Sequence, residues 1–162
     1  MRKIILMMVL SILFTTSYAQ EYQTAIGIKG GSFGWGGGAL NLKHFLGGTN
    51  AVELSIGGSA NSLYVQGLYE WQNSTGWTPG LDWYIGLGAS AGSWCSNALG
   101  GNWGNHKYNS GFFIGADGII GLDYTFSEIP LNIALDMGPH IGLINSMRFG
   151  WIGGFAIRYV LQ

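Results

Sequence analysis

Charge is what this sequence has least of. Lysine and arginine together number 7 and aspartate and glutamate 8 in 162 residues, about a third of the share usual in a soluble domain. A surface that meets water on all sides is built from a dense mixture of both signs, so an ordinary soluble exterior is hard to assemble from this chain. The net charge of −1 leaves no basic excess for a phosphate backbone, and no nucleic-acid partner is expected. Cysteine occurs once, as Cys95. That excludes an internal disulfide, and its flanks offer no metal-ligand spacing, so no metal and no other cofactor is expected. Long apolar runs are missing too: beyond the first residues the chain has no stretch of about 18 apolar residues, the length a spanning helix needs.

What is present begins with an export signal. Arg2 and Lys3 precede the apolar run "IILMMVLSILF", and "TTSYAQ" puts Ser17 and Ala19 in small-x-small positions. The run is too short for a membrane span and fits a signal peptide, residues 1–19, cleaved after Ala19. The remainder, 20–162, is long enough for one domain and has no obvious linker or repeat.

Glycine is abundant, 29 residues, and in "WYIGLGASAGSW", residues 83–94, it looks at first like a phosphate-binding loop. Such a loop must open a helix, and "CSNALGGNWGNHKYNSG" has no helical period. The glycines follow a period of two instead. Leu81, Trp83, Ile85, Leu87, Ala89 and Ala91 alternate with Asp82, Tyr84, Gly86, Gly88, Ser90 and Gly92, the pattern of a β-strand with two unlike faces. Carried along the chain, this alternation predicts eight strands, roughly 22–31, 36–46, 50–60, 62–72, 81–93, 111–126, 131–143 and 148–161. The connectors alternate in kind: "GGTN", "NSTGWTPG" and "SEIP" at one end, longer ones at the other, as in membrane barrels. The expected fold is all-β, an eight-stranded antiparallel up-and-down transmembrane barrel.

A soluble barrel of lipocalin type would also alternate, and the composition of the two faces separates the possibilities. Lys29, Lys43, Glu53, Glu70, Asp82, Asp117, Asp123, Asp136 and Arg158 share the phase of the small residues, and the other face has no charge. That other face carries Trp71, Trp83, Tyr124, Phe126 and Tyr159 near the short-turn end, where an aromatic girdle meets a membrane surface. The charged face is therefore read as a lumen, and Gly86, Gly88, Ser90 and Gly92 as the residues that make room in it.

The segments "LNLKHFLGGTNAVELSI", "LYVQGLYEWQ", "LDWYIGLGASAG", "FIGADGIIGLDYTFSEIPLNIALDMGPHIGL" and "GGFAIRYVLQ" resemble the small outer-membrane β-barrel domain family of Gram-negative bacteria, the OmpX and OmpA-barrel type. The resemblance implies outer-membrane location, assembly by the barrel machinery, contact with lipid and lipopolysaccharide, and a monomer; it implies fold far better than activity. Catalysis is not expected. A lipid A deacylase would need an outward Ser–His pair near the outer leaflet with a carboxylate behind it. His44 lies near the short "GGTN" turn, His140 is in phase with the lumen, and His106 sits in a loop with only Ser110 nearby. A structural or surface-interaction protein with a plugged lumen is the leading reading, with a small porin-like cation channel as the rival. Surface contact is expected at 94–110, through Trp94, Trp103 and Tyr108.

Within the lumen, a short connection after the second strand sets Lys43 opposite Glu53. Lys43, Glu53, Glu70, Asp82, Asp123 and Arg158 are expected to share the short-turn half, with Lys29, Asp117 and Asp136 in a second layer nearer the middle. Arg158, whose planar fork can serve two carboxylates, is the expected bridging cation, with Glu70 among its partners.

Overall fold

A computed structural model describes residues 23–31, 37–59, 62–94, 111–145 and 148–161. The segment 1–19, Cys95, Trp103, His106, Tyr108, Ser110 and the side chain of Trp94 lie outside the described residues. Eight strands form a closed barrel in sequence order: β1 Thr24–Gly30, β2 Gly38–Gly47, β3 Asn50–Ser59, β4 Ser62–Ser74, β5 Leu81–Trp94, β6 Gly111–Thr125, β7 Leu131–Ile144 and β8 Gly150–Leu161. Every neighbouring pair is antiparallel, and β1 closes on β8 with Thr24 opposite Leu161. The expected all-β eight-stranded barrel is the observed fold, and no strand end departs from its predicted limit by more than two residues. No helix among the described residues is long and apolar enough to cross a membrane.

Alternation along each strand becomes two surfaces. In β4 the outward side chains are Leu63, Val65, Tyr69 and Trp71, and the inward ones are Tyr64, Gln66, Leu68, Glu70 and Gln72. The same division runs round the wall, so Ile28, Leu40, Leu87, Leu135, Met137 and Phe155 are exposed while Lys29, Lys43, Glu53, Asp123 and Arg158 are buried. The aromatic residues expected near the short turns include exposed Trp71, Trp83 and Tyr159. Tyr124, among the last residues of β6, packs edge-on to Phe126 just beyond it, centroids 4.8 Å apart. A second aromatic group, Phe112, Phe149 and Trp151, is exposed toward the long-loop end.

The interior is filled by pairing small residues with large ones. A Cβ on Gly92 would stand 2.5 Å from the Phe113 ring, one on Gly121 2.5 Å from the Tyr84 ring, and one on Gly115 2.1 Å from the His140 ring. Gly154 leaves the same space for the Lys29 stem, and Gly86 for Ile119 and Glu70. These contacts join neighbouring strands, so each glycine faces a bulky side chain from the strand beside it.

Candidate functional site

The one extended polar constellation among the described residues lies inside the barrel, and its geometry begins with Arg158. From β8, this guanidinium donates to Asn41 Oδ1, to Asn132 Oδ1 at 2.9 Å and to Glu53 Oε2 at 2.5 Å, with Asp123 Oδ2 at 3.5 Å. Lys43 Nζ donates to Gln72 Oε1 at 2.6 Å and Asp123 Oδ2 at 3.0 Å, and lies 2.9 Å from Glu70 Oε2. Lys29 Nζ sits 2.7 Å from both Glu53 Oε1 and Asp136 Oδ2. Around these cations, Tyr84 donates to Asp136 at 3.0 Å, Asn132 to Asp123 and to Thr125, and Gln72 to Asp82 at 2.9 Å. Toward the long loops, His140 Nδ1 lies 2.6 Å from Asp117 Oδ1, whose other oxygen accepts from Gln66 at 2.8 Å.

Register alone misplaces two of these bonds. Lys43 and Glu53 are cross-strand partners on β2 and β3, yet Lys43 reaches Glu70 and Asp123, while Glu53 is held by Lys29 and Arg158. A lysine stem spans the lumen as easily as it spans one strand spacing, so in a closed barrel the facing wall competes with the neighbour. For the same reason Arg158 binds Glu53 and Asp123 rather than Glu70. Lys29 ties Glu53 to Asp136, so the two expected layers are joined, and only Asp117 stands with a different set of partners. Asp82 is half-buried at the short-turn mouth. The amides Asn41, Gln66, Gln72 and Asn132 are equally buried, and each bonds at least one of the charged groups. Their signal was in the sequence, since each shares the inward phase of the charges.

Chemically the constellation is a network of ion pairs with an acidic excess. Lys29, Lys43 and Arg158 face the buried Glu53, Glu70, Asp123 and Asp136, and each cation touches two carboxylates. Glu70 is the least satisfied: its oxygens make no hydrogen bond of good geometry, and Lys43 is its ion-pair partner. His140 has a carboxylate partner in Asp117, and the buried Ser90 hydroxyl makes no hydrogen bond, so these two side chains are not joined as a serine–histidine pair. His44 pairs with Thr24 Oγ1 at 2.8 Å. Among the described residues no group of three or more His, Cys, Asp or Glu is placed to hold a metal ion.

The architecture has a solved counterpart. The chain is similar to the crystal structure of the N-terminal β-barrel domain of Pseudomonas aeruginosa OprF, with a TM-score of 0.66, at 17% sequence identity and covering 87% of this chain and 100% of that one. The fold is that of the OprF barrel. At the level of fold, the resemblance to small outer-membrane barrels that the sequence motifs carry therefore holds. No protein-family model matches the chain, and no curated protein matches it in sequence. In this barrel the charges point inward, and the exposed apolar wall surrounds them.

Proposed function

We propose that the chain is an integral outer-membrane β-barrel of a Gram-negative bacterium, exported by its signal peptide and inserted by the barrel assembly machinery. It acts as a monomer in a structural or surface-interaction role without catalysis, its loop 94–110 turned to lipopolysaccharide or a partner through Trp94, Trp103 and Tyr108. The observation that carries this reading is the division of the wall. All fully buried charges point inward, and the exposed face is Ile, Leu, Val, Trp, Phe and Tyr, the division a barrel needs to cross hydrocarbon with every strand paired. Support for a closed lumen over a cation channel comes from the three cations, each anchored between carboxylates of different strands.

One preparation tests both parts. The native protein should sediment with outer membranes, migrate differently on gels before and after boiling, and give no steady conductance in a planar bilayer. A soluble periplasmic protein with unchanged migration would sink the membrane reading. Heat-modifiable protein with steady cation-selective openings would instead overturn only the plug.

A further inference from the structure

At the short-turn end the barrel opens into a cup of about 750 Å³, within the range of small-molecule sites. Its floor is the ionic plug, since Gln72 lies between Lys43 below and Asp82 in the wall. One side is apolar, where Phe45 packs on Ala25 and Val160. The opposite side carries Asp82 and the Phe126 ring, with Glu128 on the rim, and among the described residues no lysine, arginine or histidine lines the cup.

The rim is held in place by backbone bonds between elements. Thr125 N donates to Gly80 O at 2.8 Å, Gln72 N to Thr49 O at 2.7 Å, Phe45 N to Gln23 O at 2.8 Å and Val160 N to Pro130 O at 3.0 Å. At Gly80, φ is +82° and a Cβ would stand 2.3 Å from Thr125 O, so that close approach of two turns admits glycine alone. The cup is thus formed before any ligand arrives, which lowers the cost of binding.

We infer that the cup is a binding site for a small organic ammonium compound with an apolar flank, its charge held by Asp82 and Glu128 beside Phe126 and its flank laid on Phe45. The nearest base, Lys43 beneath Gln72, is already paired with Glu70 and Asp123, so the two acids of the cup select a cation and reject an anion. The aromatic rings add attraction for an ammonium at close range, and the apolar wall disfavours an inorganic ion that would keep its water. Binding requires no open lumen, because the plug is the floor.

The test is a titration of the folded, ¹⁵N-labelled protein in detergent micelles with benzylammonium, against benzyl alcohol as the uncharged isostere. Saturable shifts confined to the cup are expected, centred on Asp82 and the side-chain amides of Gln72 and Asn73. The alcohol should bind about tenfold or more weaker, and Asp82→Asn should weaken benzylammonium on the order of tenfold. Glu128→Gln, on an exposed turn, carries the same test should Asp82→Asn fail to fold, with a smaller loss expected. Shifts spread over the outer wall, equal binding of the alcohol, or unchanged affinity in the charge variants that fold would overturn the site.

Discussion

Toward the short turns the lumen is held by Arg158, Lys43 and Lys29 and the carboxylates between them, with amides filling the remaining positions. Toward the long loops the inward residues include Ala39, Tyr64, Ser90, Phe113 and Ile152, with one hydrogen-bonded polar cluster among the described residues, Asp117 between His140 and Gln66. Both halves are packed, but the forces differ. In the first, each side chain is stable because a specific partner cancels its charge, and removal of one partner leaves another charge bare. In the second, ring-over-glycine contacts carry the packing, so shape matters more than sign.

The largest difference should appear at Arg158. Replacing it with leucine strips a charge partner from Glu53 and Asp123 and a donor from Asn41 and Asn132, a loss of about 3–5 kcal/mol. The folded band on unheated gels should then be lost at a lower temperature. Adding Glu53→Gln should restore part of that loss, because the acid no longer needs a cation; full additivity in the double variant would show that the two are not coupled. Glu70→Gln should rescue less, since Glu70 is bound to Lys43.

The long-loop half should respond to volume. Gly92→Val would drive its side chain into the Phe113 ring and the Leu63 carbonyl and is expected to cost about 1–3 kcal/mol in urea unfolding from micelles. The companion Phe113→Leu, which opens space, should recover part of it. No recovery would place the clash on the Leu63 backbone alone.

The smallest effect is expected at Asp117→Asn, which keeps the shape and an acceptor for one of its neighbours. A loss of about 1 kcal/mol by the same unfolding measurement is expected. A loss as large as that of Arg158→Leu would erase the contrast between the halves and make Asp117 part of one continuous ionic core.

Several of these features could be read without a fold. The period-two runs in 81–93 and 131–143 mark strands because successive side chains must point to opposite faces, and the phase of the nine charges marks the lumen because bilayer hydrocarbon tolerates no charge on the outer face. The glycines in phase with those charges were legible as space, although not as space for particular rings. Gly92 and Phe113 are 21 positions apart, and only pairing of β5 with β6 brings them together.

The sequence by itself determined the strand count, the inward and outward faces, and the turn that sets Lys43 opposite Glu53, because each depends on residues close along the chain or on a simple two-fold period. Closure of the barrel decided the rest. Once β1 pairs with β8, residues from distant strands share one narrow interior, and a long cationic side chain chooses among acids across the lumen as well as beside it. That is why Lys43 serves Glu70 and Asp123, why Arg158 joins Glu53 to Asp123, and why a cup bounded by three separate turns exists at all. Periodicity reports which way a side chain points, and only three-dimensional distance decides what it meets.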